Sequence, residues 1–151
     1  MEAMIATYRD YNIFHHDSRV TVYPGVVEMV QEVRAAGCRT GLVTSKNRVG
    51  AFRGLRLAGL EDAMDVVIGA DDVTNPKPHR EPVDRAVAHL GADPASTIYV
   101  GDSIHDMHSG RRAGVRTAAV LWGPFGRPDL EPAAPDHWLR HPHELVTLIT
   151  V

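Results

Sequence analysis

Short apolar runs alternate with longer amphipathic runs along most of the chain. The short runs have the character of β-strands and cover residues 40–43, 65–68, 97–100, 117–121 and 137–139. The longer runs carry helix signals, with proline or a capping residue at the start or glycine after the end, and cover residues 24–37, 47–58, 82–90, 106–113 and 142–149. Continuously apolar strands that alternate with helices are typical of a parallel sheet covered on both faces. The pattern therefore predicts a doubly wound α/β domain.

The first residues of the chain depart from this alternation. The stretch from Met1 to His16 is polar and aromatic, and it has helical character without a capping residue at its start. We expect this stretch to lie outside the sheet. The segment from Gly123 to Pro135, rich in proline and glycine, is expected to be a loop.

Composition narrows the class of protein. The 151 residues, 44% of them hydrophobic and 23% charged, suit one globular domain. Sixteen basic against nineteen acidic residues give a net charge of −3, which argues against binding to nucleic acid or to an anionic membrane. Cys38 is the sole cysteine, which excludes an internal disulfide and fits a reducing compartment. No apolar run approaches the roughly 20 residues of a membrane span, and the start lacks the features of a signal peptide. We expect a cytoplasmic protein.

Polar residues that suit phosphate chemistry follow the strand-like runs. Thr44 and Ser45 follow the first of these runs, Lys77 comes after the second, and Asp102 and Asp106 follow the third. Ligands of doubly wound domains bind at the carboxyl ends of the strands. Hydroxyls and helix-start N–H groups hold phosphate oxygens there, and a lysine compensates their charge. Carboxylates beside a phosphate require a hard cation such as Mg²⁺ between them, so the pattern indicates a site for phosphate and metal.

Each of these residues also has a purely structural interpretation. Thr44 or Ser45 could cap the following helix, and Lys77 could be a solvated surface residue. Asp102 could cap a helix, and Asp106 could lie on the solvent face of that helix. The chain has only two lysines, Lys46 and Lys77, against fourteen arginines, and both lie beside strand ends. This bias favours the functional interpretation for Lys77.

Three segments in order resemble motifs II, III and IV of the haloacid dehalogenase superfamily. They are Gly41 to Lys46, Lys77 to Pro82 and Gly101 to Asp106. The resemblance is to the branch of phosphoglycolate phosphatases and pyrophosphatases, and three further segments support it: Tyr23 to Val26, Gly110 to Gly114 and Trp122-Gly123. Arg80 stands where many members of the branch carry proline. Three motifs in the right order are a far more specific signal than any one of them.

The resemblance implies a Mg²⁺-dependent phosphatase that acts on a small phosphorylated metabolite. In this family a phosphoryl group is transferred to an aspartate and then hydrolysed. Thr44, with Ser45 beside it, would bind the phosphoryl group, and Lys77 would neutralise its charge. Asp102 and Asp106 would hold the metal, with Asp106 also orienting Lys77. Lys77 and Asp106 are thus the candidate catalytic residues.

One departure from the family is large. Members carry an Asp-x-Asp motif at the end of the central strand, and none of the twelve aspartates here is followed by another two positions later. The resemblance then implies that residues 1–18 are a remnant of the cap helix and linker, near Tyr8 to His16, and that residues 19–151 form the core. The first central strand, the nucleophile and most of the helical cap would be missing from an N-terminally truncated chain, whose own activity is doubtful without the nucleophile.

Two consequences follow from that expectation. A sheet without its central strand would leave two inner edges unpaired and would be less stable than its size suggests, unless the flanking strands pair directly or a homodimer supplies the edge. The alternative function is a degenerate, non-catalytic domain that binds a phosphorylated ligand or a partner. An Asp-x-Asp upstream in frame would decide for the enzyme.

Two other classes are disfavoured by the residues themselves. Nine histidines raise the question of zinc, but the pairs His105/His108 and His141/His143 do not complete a set with zinc spacing, and no cysteine joins them. A phosphate-accepting receiver domain places its acidic residues before its threonine and lysine. Here Thr44 and Lys77 precede Asp102 and Asp106, which is the opposite order.

Overall fold

The computed structural model describes residues 3–6 and 23–150. Strands and helices alternate through these residues. In chain order they are β1 Ala3–Ala6, α1 Val26–Ala35, β2 Arg39–Val43, α2 Arg48–Ala58, β3 Val66–Ile68, α3 Glu81–Leu90, β4 Thr97–Gly101, α4 Ile104–Arg112, β5 Arg116–Val120, α5 Arg127–Leu130, β6 His137–Leu139 and α6 His143–Thr150. Short 3₁₀ turns lie at Glu61–Ala63, Ala70–Asp72, Pro94–Ser96 and Glu131–Ala133.

Within the described residues, six strands form one parallel sheet in the order β3-β2-β1-β4-β5-β6. The predicted doubly wound α/β class is confirmed. From β1 the chain builds outward through β2 and β3, then crosses to the other side of β1 and builds outward through β4, β5 and β6. The order of the strands therefore reverses at β1, where the carboxyl ends of β2, β1 and β4 meet.

The structure differs from the sequence expectation at the centre of this sheet. The middle position, expected to be empty, is filled by Ala3–Ala6, from the stretch that was expected to lie outside the sheet. Ala6 pairs with Leu42 of β2 on one side and with Val100 of β4 on the other. Neither flanking strand has an unpaired inner edge, so the expected loss of stability at the centre of the sheet has no basis in this structure.

Side chains buried alternately on the two faces of the sheet explain why these four residues form a strand. Met4 packs with the helices on one face of the sheet, whereas Ala3 and Ile5 pack with those on the other, and all three are fully buried. Burying a side chain such as Met or Ile contributes roughly 1.5–3 kcal/mol. A four-residue apolar run does not distinguish strand from helix by periodicity, and the two backbone edges beside it decide the outcome. The predicted cap remnant from Tyr8 to His16 lies outside the described residues.

The helices begin and end close to their predicted positions. The Asn47 side chain accepts a hydrogen bond from the first turn of α2 at 2.8 Å, as expected for its capping residue. Gly59 and Gly91 follow α2 and α3 in the left-handed conformation, with φ of 71° and 61°. The segment predicted to be a loop instead contains α5, because Pro128 lies in the first turn of a short helix.

Candidate phosphate site at the strand ends

The predicted site residues, Thr44, Ser45, Lys77, Asp102 and Asp106, are called the strand-end cluster below. Thr44 directly follows β2 and Asp102 directly follows β4, and both are almost fully buried. Because Leu42 and Val100 both pair with Ala6, Thr44 and Asp102 lie on opposite sides of the end of β1. Two strand spacings separate β2 from β4 by roughly 10 Å, enough for a small ligand between them.

The loop after β2 presents its two hydroxyls differently. The Thr44 N–H donates to the Ile68 carbonyl oxygen at 2.9 Å, and Thr44 Oγ1 accepts the Lys46 N–H at 3.1 Å. Ser45 is exposed at the mouth of the loop. Since Asn47 is the residue that caps α2, neither hydroxyl is used as the helix cap. The purely structural interpretation of these two residues as caps is therefore wrong.

The turn after β3 holds this loop in place. The Ala70 N–H donates to the Lys46 carbonyl oxygen at 2.7 Å. Asp71 Oδ1 accepts the Arg48 N–H at 2.9 Å. Asp72 accepts both the Gly69 N–H at 2.8 Å and the Arg48 guanidinium at 3.0 Å. Burial acts to raise the pKa of Asp72, but these two partners lower it below its ordinary value. The turn is thus fixed to the start of α2 by charged and backbone contacts that the sequence alone did not indicate.

A buried ion pair joins the second and third motifs. Lys77 Nζ lies 2.8 Å from Asp106 Oδ1, and the two side chains are only 9% and 2% exposed. The interpretation of Lys77 as a solvated surface residue is therefore wrong, and so is that of Asp106 on a solvent face. The predicted contact by which Asp106 orients Lys77 is present in the structure.

Both carboxylate oxygens of Asp106 have several donors. Oδ1 accepts from Lys77 and, at 3.4 Å, from the Tyr99 hydroxyl. Oδ2 accepts the N–H groups of Asp102 and Ser103 at 3.1 and 3.2 Å, and Ser103 Oγ accepts the Asp106 N–H in return. This reciprocal capping box starts α4. Asp106 thus fixes Lys77 and the backbone of Asp102 at once, a geometry that suits a positioning role better than direct contact with a metal.

Two glycines allow the aspartates to approach the backbone. A Cβ at Gly101 would lie 2.5 Å from the Asp106 Cβ, and one at Gly123 would lie 2.9 Å from the Asp102 Cβ. Both distances are far below ordinary contact, so any side chain at either position would displace a member of the strand-end cluster. The glycines are therefore needed for space at these two points.

Helix α4 also anchors the loop that carries Lys77. Ser109 Oγ, which is fully buried, donates to the His79 carbonyl oxygen at 2.6 Å. The Arg112 guanidinium donates to the Pro78 carbonyl oxygen at 2.8 Å. Sequence reasoning did not single out Ser109 or Arg112, and their position one and two turns beyond Asp106 on the same helix is the signal that could have identified them.

The donor set at the strand ends fits Mg²⁺ in part. Asp102 offers a hard carboxylate oxygen, and Mg²⁺ in proteins is commonly held by one or two carboxylates together with water and substrate phosphate. Within residues 3–6 and 23–150 no three His, Cys, Asp or Glu side chains lie close enough together to hold a metal ion by themselves.

In the same residues no helix is long and apolar enough to cross a membrane.

Comparison with known proteins identifies the family of this fold and site. The sequence profile of the haloacid dehalogenase-like hydrolases matches residues 1–120. The chain belongs to this family. The chain is 41% identical over 151 residues to a protein named pyrophosphatase PpaX from Halalkalibacterium halodurans, and it covers 70% of that protein.

Solved structures of the family share the fold. An HAD phosphatase from Thermococcus onnurineus superposes with a TM-score of 0.76 at 28% identity, over 88% of this chain and 60% of its own. A protein assigned as a phosphoglycolate phosphatase from Lactobacillus plantarum superposes with a TM-score of 0.80 at 26% identity, over 88% of this chain and 63% of its own. The chain thus spans about three fifths of the length of these solved proteins.

Proposed function

We propose that this chain forms the phosphate-binding and charge-stabilising part of a Mg²⁺-dependent phosphatase that cleaves phosphoric monoesters or pyrophosphate. The observation that carries the proposal is the buried pair of Lys77 and Asp106, which lies beside the carboxyl end of β4. A buried ammonium directed by a carboxylate to the switch point of a parallel sheet suits an anionic ligand. Membership of the hydrolase family supports the same activity.

Each residue of the strand-end cluster has a proposed role. The Thr44 hydroxyl binds a phosphoryl oxygen, and Ser45 lies at the entrance. The Lys77 ammonium neutralises the charge of the phosphoryl group. Charge stabilisation of this kind is the main contribution of a protein to phosphoryl transfer. Asp106 keeps Lys77 and the start of α4 in place, so that the ammonium is directed before the ligand arrives.

Asp102 is the residue proposed to hold the metal. When bound, Mg²⁺ would offset the repulsion between carboxylate and phosphate and would stabilise charge on the phosphoryl oxygens. The partial fit favours Asp102 as the direct ligand, with the proposed contribution of Asp106 made through Lys77 and through the backbone of Asp102.

The covalent step of the family needs a residue that this sequence does not contain. No Asp-x-Asp occurs among the 151 residues, and β1 ends at Ala6 without an aspartate directly after it. The chain's own residues therefore hold and neutralise a phosphoryl group without accepting it. Removal of a catalytic group elsewhere leaves about 10³–10⁴-fold rate enhancement over water, which is the residual activity expected here at most.

Pyrophosphate is the substrate to test first, because the matched relatives carry the name pyrophosphatase. A small phosphorylated metabolite is the proposed ligand class, and no contact with nucleic acid or membrane is proposed. The single cysteine supports a cytoplasmic location.

The testing experiment compares this chain with a version extended at its N-terminus by a segment that contains Asp-x-Asp, whose strand would take the central position that residues 3–6 fill here. Both are assayed with Mg²⁺ on pyrophosphate, phosphoglycolate and an aryl phosphate. We expect turnover only from the extended version, and none from its matched control in which Asp-x-Asp is replaced by Asn-x-Asn. Robust turnover by the 151-residue chain would mean that another residue is the nucleophile and would overturn the assignment. No turnover by either version would favour a phosphate-binding module.

A further inference from the structure

The first residue of α3 makes contacts that the proposed mechanism does not use. The Glu81 carboxylate turns back over the loop that precedes it. Its Oε1 accepts the Thr74 N–H at 2.9 Å, and its Oε2 accepts the Asn75 N–H at 2.9 Å and the Asn75 side-chain amide at 3.0 Å. Arg85, one turn further along α3, donates to Oε1 at 3.1 Å. Glu81 thus connects α3 to the backbone just before Lys77.

These contacts complete the anchoring of the Lys77 loop. On the far side of Lys77, the carbonyl oxygens of Pro78 and His79 are held by α4. On the near side, the backbone two and three residues before Lys77 is held by Glu81. The lysine therefore lies between two fixed points, one on each of the helices α3 and α4.

We propose that Glu81 is a positioning residue that sets the backbone ahead of Lys77 and so directs the lysine ammonium to Asp106 and to the bound phosphate. The part of this inference that concerns phosphate rests on the proposed function. The part that concerns Lys77 and Asp106 depends only on the geometry described above.

The contacts of Glu81 differ from those of an ordinary acidic residue at a helix start. Asp84, on the same helix, forms a surface pair with Arg80 at 2.6 Å, in which the two side chains are 39% and 54% exposed. The Glu81 side chain is only 17% exposed and faces two backbone N–H groups. Those N–H groups lower the pKa of Glu81 to about 2, so the carboxylate stays ionised throughout the neutral range.

The chain offers a direct readout of this inference because it contains only two lysines. Lys77 is buried and paired, whereas Lys46 lies in the loop after β2 and serves as the internal reference. The rate at which an amine-reactive ester modifies each lysine is measured by peptide mass spectrometry in the wild type and in Glu81→Ala, Glu81→Gln and Asp84→Asn. Asp84→Asn is the matched control, since it removes a carboxylate from α3 whose partner is the exposed Arg80 side chain and not the backbone before Lys77.

We expect Glu81→Ala to raise the modification rate of Lys77 about tenfold, the order of effect of losing hydrogen bonds to a charged group. Glu81→Gln keeps one acceptor oxygen and should give a smaller increase. Lys46 should be modified at the wild-type rate in every variant, and Asp84→Asn should match the wild type at both lysines. An unchanged Lys77 rate in Glu81→Ala would overturn the inference, as would a parallel increase at both lysines, which would indicate general loosening of the fold.

The measurement is independent of substrate. If the wild type fails to bind inorganic phosphate and Lys77 still becomes reactive in Glu81→Ala, the proposed function fails and the positioning role of Glu81 stands. If phosphate binds and the Lys77 rate is unchanged, the positioning role fails and the proposed function stands.

Discussion

The ammonium of Lys77 and the carboxylate of Asp106 form an ion pair of 2.8 Å between two side chains that are almost completely excluded from solvent. The partners are 29 residues apart in the sequence: Lys77 lies in the loop before α3, and Asp106 lies in the first turn of α4. Removing one member of a buried pair leaves the other charge without compensation in a medium of low polarity. A substitution in this pair is therefore expected to change both the candidate site and the stability of the fold.

Asp106→Asn should lower the free energy of unfolding by about 3–5 kcal/mol, because it leaves a buried ammonium without its counter-charge. Urea unfolding of the purified chain measures the loss. The surface pair of Arg80 and Asp84 is the control, and Asp84→Asn should change stability by no more than about 1 kcal/mol. Combining Asp106→Asn with Lys77→Met should restore part of the loss. Equal stability of Asp106→Asn and the wild type would show that the pair does not form.

Ile5→Ala should lower the free energy of unfolding by about 2–5 kcal/mol, because the side chain is fully buried at the centre of the sheet. Val49→Ala is the control, since Val49 is 78% exposed and its truncation should stay within about 0.5 kcal/mol. Thermal or urea unfolding gives both values. A neutral Ile5→Ala would mean that residues 3–6 do not occupy the middle of the sheet in solution.

The hydrogen bonds from the Thr74 and Asn75 N–H groups to the Glu81 carboxylate predict a specific response to acid. The pKa of Glu81 is lowered from 4.5 to about 2 by the N–H groups of Thr74 and Asn75. The stabilisation from a lowered carboxyl pKa is fully present above the ordinary value of 4.5 and is lost as the pH falls toward 2. In NMR titrations the amide signals of Thr74 and Asn75 should stay constant from pH 7 to pH 4. A midpoint near pH 4.5 for these signals would show that the two N–H groups do not bind the Glu81 carboxylate in solution.

Asp102→Asn should abolish Mg²⁺ binding by the chain in the presence of inorganic phosphate. The carboxylate is the hard oxygen ligand that the strand-end cluster offers, and an amide oxygen is a weaker ligand for Mg²⁺. Calorimetric titration of Mg²⁺ into the wild type should release or absorb heat that the variant lacks, and Asp84→Asn should behave as the wild type. Equal heats from Asp102→Asn and the wild type would remove Asp102 from the metal site.

The sequence predicted those features that local patterns determine. Helix ends at Gly59 and Gly91 and the Asn47 cap follow from the backbone preferences of single residues. The order of the motifs placed Lys77 and Asp106 in one site because the carboxyl ends of parallel strands share one edge of the sheet. In the structure the two side chains are in direct contact.

The features that the sequence did not predict depend on contacts between distant segments. The four apolar residues of β1 become a strand only because two other strands offer their edges to it. The loop that carries Lys77 folds against helices α3 and α4, where it is held by Glu81, Ser109 and Arg112. No spacing rule in the sequence connects a loop to the helices that it contacts. The helical spacing from Asp106 marks the positions of Ser109 and Arg112, but the loop that they hold follows only from the tertiary structure.

The proposed role of Lys77 is tested by calorimetric measurement of inorganic phosphate binding, in the presence of Mg²⁺, to the wild type, Lys77→Met and Arg80→Gln. Arg80→Gln removes the same charge three residues away, from a side chain that pairs with Asp84 at the surface. We expect the wild type to bind phosphate and Arg80→Gln to bind it within about twofold. Lys77→Met should bind phosphate at least about tenfold more weakly, the loss expected for one charge-assisted hydrogen bond. Equal affinity of Lys77→Met and the wild type, or no binding by the wild type, would contradict the proposed role of Lys77.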